Sequence, residues 1–450
     1  MLSFANGRFI VFVYAILESI SRLIPYPVKN LIKKSFGLLS DNESDEEIIK
    51  SLQVLENIEL GLIIARRGYG QDETSYVQPN FHFKNNLIRF VSILNFIRFC
   101  LILIYKQNNS LSILLANPFF HENSSDIMIY YIIGGGITLF ILREYVLYLE
   151  EHGAYTILCP FRDIKVSGFD KNMLQLTTKQ CKSFRSTFHI LITVWIRWIY
   201  CTFICMPFVL ISLRLQNQAI VNSGPAMYIS SFCWIILESC AFIFIFGGLL
   251  TLGAHITIFV PLCLCQLKSL IELLQRVKSK QFIDDSYIKG MNTDVIRYLN
   301  YFDCFIAKLR YIYFFLFIII SFGADTAIFL GLFTKRHSNW VSNMLVIWGL
   351  IILFITGSVV YVGGALWIRY GMNLLYLIHG LYVSTIAKVE VKLYQKLKIL
   401  EILDRILGPY CGAKIGDAFT AEKLLAVYYV LENASTIMLL ICNLQFISSQ

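Results

Sequence analysis

Seven stretches of this chain are apolar over enough consecutive residues to cross a lipid bilayer as helices, and nothing else in the sequence constrains the fold as strongly. A bilayer core about 30 Å thick needs around 20 apolar helical residues. The stretches 87–105, 127–149, 186–213, 227–263, 311–333, 344–368 and 424–446 meet that requirement. Composition points the same way, with 56% hydrophobic and only 15% charged residues. A soluble domain carries about 25% charge, so this chain lacks the polar surface to coat a water-soluble globule. An aromatic content of 15% argues equally against disorder.

The expected fold class is all-α, a seven-transmembrane-helix membrane protein. Residues 1–86 are expected to form a cytoplasmic amino-terminal region, 87–446 the seven-helix domain, and 447–450 an extracellular tail. The fourth stretch exceeds a single crossing, so it either projects from the membrane or bends, with Gly247-Gly248 and Pro261 as candidate breaks.

Orientation follows from basic residues, which concentrate on the cytoplasmic side. Of the 39 Lys and Arg, 31 fall in segments 1–84, 150–185, 264–310 and 369–423, and only 4 in the alternate segments, a roughly twofold bias by density. The amino terminus is therefore expected inside and the carboxyl terminus outside. The acceptor triplets at Asn108 and Asn123 both fall in the first outer loop, where glycosylation would place them. Asn42 lies on the inner side and Asn433 within a span, so neither is expected to be modified.

Glu18 and Arg22 interrupt the apolar run of the first 25 residues, which favours an amphipathic helix on the inner leaflet over a signal peptide. The acidic patch 41–47 reads as a solvated loop. Residues 264–310 show helical spacing at Leu267, Leu270, Leu274 and Val277. Residues 374–407 carry a stripe of Val389, Leu393, Leu397, Leu400 and Leu403 flanked by lysines, ended by Gly408-Pro409. Such stripes bury either against each other within one chain or in a collar between subunits; spacing does not decide between them.

The twelve cysteines are scattered, several within apolar runs (Cys201, Cys205, Cys233, Cys240, Cys263, Cys265), and read as small buried hydrophobes. No metal framework or other cofactor is expected. A net charge of +9 on a membrane chain does not imply nucleic acid.

Few polar residues lie at membrane depth: Arg197, Glu238, His255, Asp325 and Glu432. They form no hydrolase or metalloprotease motif, so an enzyme is not expected. A G-protein-coupled receptor is excluded by the inverted topology. An orphan multipass transporter or scaffold remains the alternative, though no repeat relates the two halves. A channel needs only one span with polar residues on a pore face, and the last span carries Glu432, Asn433, Thr436, Asn443 and Gln445.

That span ends Met438-Leu439, five further residues, then Gln445-Phe446, and is preceded by Gly416-Asp417-Ala418-Phe419-Thr420-Ala421. With the inward amino terminus, seven spans and short outer tail, this resembles the insect-type gustatory receptors, relatives of the insect odorant receptors. Their signature is Thr-Tyr, five hydrophobic residues, then Gln-Phe. Here Met438-Leu439 replaces Thr-Tyr and Asn443 interrupts the hydrophobic run. Residue-level similarity covers about the last 30 positions.

The resemblance implies a homo- or heterotetrameric, ligand-gated, non-selective cation channel of the plasma membrane, responding to a small-molecule tastant. Each subunit would give its last span to one pore, and the inner helical segments would form an anchor. The pore and gate candidates are Met438, Ile441, Cys442, Gln445 and Phe446, with Gln445 at the outer mouth. Helical spacing leaves a second face open, that of Glu432, Thr436, Leu440 and Asn443. For the ligand pocket, aromatic and acidic residues of the outer halves stand out: Tyr200, Phe203, Trp234, Glu238, Asp325 and Trp348. The acids could instead pair internally, with Arg197 the available cation.

Overall fold

The computed structural model describes residues 45–69, 80–105, 109–119, 125–215, 224–278, 285–333, 339–386, 391–407, 414–415, 419–420 and 423–448. The expected helix over the first 25 residues, Asn108 and Asn123 lie outside the described residues.

Nearly everything described is helical. The order is α1 (Asp45–Gly61), α2 (Phe81–Ile104), α3 (Asn109–Leu114), α4 (Ser125–Glu151), α5 (Cys159–Ser167), α6 (Thr178–Leu215), α7 (Pro225–Lys278) and α8 (Asp285–Phe314). A π-helical turn, Phe315–Ile320, joins α8 to α9 (Ser321–Phe333). Then come α10 (Asn339–Ile386), α11 (Leu393–Leu407) and α12 (Lys423–Ser448). Before α12, Lys414–Ile415 and Phe419–Thr420 pair antiparallel as a two-residue ribbon.

Six of the seven apolar stretches lie within one helix each, save Tyr105, which caps α2; the fifth, 311–333, runs from α8 through the π-turn into α9. By length and composition, α2, α4, α6, α7 and the run Arg310–Leu332 suffice to cross a membrane, and shorter apolar segments lie at Ser342–Phe354 and Val427–Cys442. Large apolar side chains face outward along these helices, among them Phe90, Ile97, Ile141, Ile204, Phe208, Ile229, Phe232 and Phe354. In water such a belt would be a liability; against lipid tails it costs nothing.

The patch 41–47 departs from expectation at its end. Asp45, Glu46 and Glu47 form the first turn of α1, where the helix dipole favours carboxylates. The fourth apolar stretch does not break at Gly247-Gly248 or Pro261: α7 runs unbroken for 54 residues, about 80 Å. Its two ends differ in character. Near its start Ile229, Phe232 and Ile236 are exposed, whereas Ala254, Ile258, Phe259, Leu262, Leu267 and Leu274 are all but sealed. The second half is thus the axis of a protein-lined core, packed by α1, α5, α6 and α8. Leu267, Leu270 and Leu274 bury within the chain.

The cysteine reading needs a similar correction. Cys181, Cys263 and Cys265 are buried, but Cys201, Cys205 and Cys233 are exposed and Cys240 is intermediate. The exposed three sit on outward faces of α6 and α7, where an apolar thiol suits lipid as well as it suits a core.

Glycine permits one close helix crossing. A Cβ on Gly331 would meet the Ser342 carbonyl oxygen at 2.7 Å, and one on Gly349 the Ala324 carbonyl at 2.7 Å, so α9 and α10 touch backbone to backbone.

The segment after α1 tucks between the helices and is held by buried polar groups. Glu59, fully buried, accepts a 2.6 Å bond from the Tyr69 hydroxyl. His255 of α7 places Nε2 2.7 Å from Glu59 and Nδ1 3.0 Å from the Tyr155 hydroxyl. Glu150 accepts from the Arg66 and Arg67 amides. Burial, with Glu59 beside it, raises the Tyr69 hydroxyl well above its ordinary pKa. The Tyr69 contribution is therefore complete below about pH 10 and is lost only as pH rises above that. His255→Ala is expected to cost about 1–3 kcal/mol, because it takes a partner from the fully buried Glu59 carboxyl. It should lower hydrogen-exchange protection across 58–69, and unchanged protection there would remove the clasp from this account.

Candidate functional site

Where α2, α6 and α7 meet beside the α3 loop, the bundle holds a buried ionic knot whose partners no local sequence pattern announces. Arg98 of α2 lies 1% exposed within the run 96–104, which is apolar but for it. Its guanidinium pairs with Glu238 of α7, donates to the Leu115 and Ala116 carbonyls at 2.6 and 2.8 Å, and lies 4.7 Å over the Trp234 ring. Arg214, at the end of α6, binds the other Glu238 oxygen at 2.5 Å. Ser230 adds a 2.6 Å bond to the Leu114 carbonyl. Four elements, α2, α6, α7 and the α3 loop, are thus tied at one point, and the point carries two cations for one carboxylate.

Beside the knot lies an apolar cluster of Phe99, Ile102, Phe119, Met128, Ile129, Phe329 and Leu330. Leu440 and Ile441 of α12 pack against it, so this cluster reaches the last helix directly. A second link lies nearer the start of α12. The Tyr429 hydroxyl is 2.8 Å from Ser321 Oγ, and its ring is 4.9 Å from that of Phe317. Phe317 sits in the π-turn and Ser321 follows it, and π-turns inside helices mark places where register can shift.

The six pocket candidates separate. Trp234 and Glu238 belong to the knot, so Glu238 faces Arg98 and Arg214 rather than Arg197, which sits on an exposed face of α6. Phe203 approaches Gly247, and Trp348 packs on Phe246 at 5.3 Å, bringing both to one level among α6, α7 and α10. Asp325 is buried on α9, close enough to Glu432 of α12 for the two carboxylates to interact, and its Oδ1 has no hydrogen-bond partner. Tyr200 points outward, half-exposed.

On α12 the buried side carries Tyr429 and Asn433, with Leu440 and Ile441 partly covered. Asn433 donates to the Tyr429 carbonyl. The opposite side exposes Leu431, Glu432, Met438 (67% exposed), Leu439 and Cys442. Of the pore and gate candidates, Met438 and Cys442 therefore face away from the subunit, and Ile441 leans against it. Gln445 and Phe446 lie in the helix, but their side chains are outside the described residues.

Sequence reasoning missed Arg98, Arg214 and Tyr429. An arginine inside an apolar run is a signal in itself; its partner, 140 positions away, is not. Among the described residues no group of three or more His, Cys, Asp or Glu side chains is placed to hold a metal.

No family model matches the chain, and no curated protein matches it by sequence. Among solved structures it is similar to the insect olfactory receptor OR5 of Machilis hrabei, determined in complex with eugenol. Identity is 10%, the TM-score is 0.58, and the match covers 88% of this chain and 99% of that one. The chain therefore has the all-α, multipass fold of that membrane receptor.

Proposed function

We propose that the chain is a chemosensory receptor of the gustatory type, a ligand-gated, non-selective cation channel of the plasma membrane. Four subunits, identical or related, each contribute α12 to one central pore. The seven apolar stretches are its spans, with the amino terminus cytoplasmic and residues 447–450 outside. The fold likeness to an olfactory receptor supports this reading, as does the small odorant bound to that protein.

The carrying observation is the two-sided α12. One side is committed to its own subunit through Tyr429 and Asn433, and the other leaves Leu431, Glu432, Met438, Leu439 and Cys442 without cover. Four such faces around an axis form, at the level of Met438 and Cys442, an apolar constriction that gates by dewetting, with Gln445 at its outer mouth. A tastant entering the outer half acts on the cluster that supports Leu440 and Ile441, and through α9 on the Ser321–Tyr429 contact. Both routes end on the pore helix.

Whole-cell recording from cells expressing this chain, with a panel of tastants, tests the proposal. Gln445→Ala and Gln445→Glu are expected to shift the reversal potential under mixed-cation gradients or to change rectification. Identical currents from both variants would remove Gln445 from the pore. Absence of any ligand-evoked current, with surface delivery verified and related subunits co-expressed, would end the channel reading.

A further inference from the structure

At the end of the bundle that carries α1, a cleft of 740 Å³ opens between the start of α6 and the tail of α7. Lys171, Lys179 and Arg276 line it, together with Thr177, Thr178 and Glu272. Three cations thus face one carboxylate, and both oxygens of that carboxylate are already engaged. Glu272 Oε1 accepts from Gln180 Nε2 at 2.7 Å, and Oε2 from Thr177 Oγ1 at 2.9 Å. Burial pushes the Glu272 carboxyl up, but those two bonds, with Lys179 and Arg276 nearby, hold it below its ordinary range. It stays ionised and anchors the start of α6, and one carboxylate offsets only part of the charge of the three rim cations.

The walls are rigid. The loop before α6 is stapled to α7 by Gln266 Nε2 donating to the Leu174 carbonyl and the Thr177 amide donating to Ser269 Oγ, each at 3.0 Å. Within the loop, the Leu176 amide closes on the Lys171 carbonyl at 2.9 Å, and Gln175 takes a left-handed φ of 56°. A ligand entering here need not order the backbone, so little binding energy is lost to closure.

We propose that this cleft binds a soluble small molecule bearing several phosphate groups. Cationic side chains with hydroxyls beside them, at the start of a 38-residue helix, suit phosphate oxygens. The volume lies within the usual range for small-molecule sites, about 300–1,000 Å³. Distance separates the two possible sources of phosphate. The apolar stretch of α6 begins at residue 186, which sets the membrane–water level on that helix. Thr178 lies eight residues earlier, about 12 Å further along the helix. The headgroup layer is only about 5–8 Å deep on each face. A soluble ligand reaches the cleft; a bilayer headgroup does not. The site is independent of the pore.

The test uses the full-length protein in nanodiscs of neutral lipid, with calorimetric titration of inositol hexakisphosphate and of inorganic phosphate. Inositol hexakisphosphate is expected to bind in the micromolar range or tighter, and inorganic phosphate far more weakly. Lys171→Glu with Lys179→Glu should weaken binding at least tenfold. Lys289→Glu, on the exposed side of α8, should leave it unchanged, which controls for general charge. Because both lysines are on the surface, the paired variant should keep the wild-type melting profile. No binding, or equal binding by the paired variant, overturns the proposal. Binding seen only when the nanodiscs carry phosphatidylinositol bisphosphate overturns the soluble ligand in favour of a headgroup.

Discussion

Glu238→Ala is expected to destabilise the folded protein by about 3–5 kcal/mol, the cost of stripping a buried ion cluster of its counter-charge. Arg98 and Arg214 are 1% and 3% exposed and both depend on this one carboxylate. Without it two guanidiniums face each other across a space shielded from water. Glu238→Gln keeps a hydrogen-bond acceptor but not the charge, and should fall between wild type and alanine. Thermal melting followed by fluorescence-detected size exclusion reads the effect. Pairing Glu238→Leu with Arg214→Leu removes one of the stranded cations and should recover part of the loss, which a general packing defect would not. A Glu238→Ala protein that melts with the wild type would show that the knot contributes nothing to the fold. If the chain is the channel proposed above, the loss also reaches function: the knot fixes the Leu115 and Ala116 backbone beside the apolar cluster against which α12 packs, so ligand-evoked currents should fall along with stability.

The second large effect concerns assembly. If the subunits assemble as proposed, replacing Leu393, Leu397 and Leu400 together by glutamine is expected to convert the tetramer to single subunits while each subunit stays folded. Within the chain α11 buries its other face, Gln395, Ile399, Ile402 and Leu403, against α8, where Asn292 donates to Gln395 and Arg405 pairs with Asp303. Leu393 and Leu397 stand 71% and 54% exposed, with Leu407 in line beyond them. At about 1.5–3 kcal/mol for each leucine covered, three per subunit are enough to hold a collar together or, once lost, to release it. Native mass spectrometry of the purified protein distinguishes tetramer from monomer. A variant that still runs as a tetramer would mean the collar lies elsewhere, and a wild type that runs as a monomer would sink the shared pore itself.

That helix shows where the sequence stops being legible. Its spacing announces an apolar stripe, yet the residue that buries most, Leu403, is only one end of it. Ile399 and Ile402, one step round the helix, complete the inner face, and the remaining leucines turn outward. Two apolar faces on one helix look alike in a single sequence, because periodicity records which residues align and not what stands opposite them. The same holds for α7. Hydropathy located it, but its continuity through Gly247-Gly248 and Pro261 depends on neighbours that enclose its second half. On the pocket list, Glu238 and Trp234 do share one place, whereas Tyr200, chosen for depth alone, faces outward.

The all-α class, the apolar stretches long enough to cross a bilayer and the oddity of charges within them came from local composition, because the transfer of a helix into lipid depends almost entirely on its own twenty or so side chains. Partner choice is a different quantity. Arg98 with Glu238, Tyr429 with Ser321, and His255 with Glu59 each join residues more than a hundred positions apart. Those pairings, and the faces α11 and α12 leave uncovered, arise only when the helices pack, since a buried charge or hydroxyl is satisfied by whatever the fold brings within about 3 Å of it.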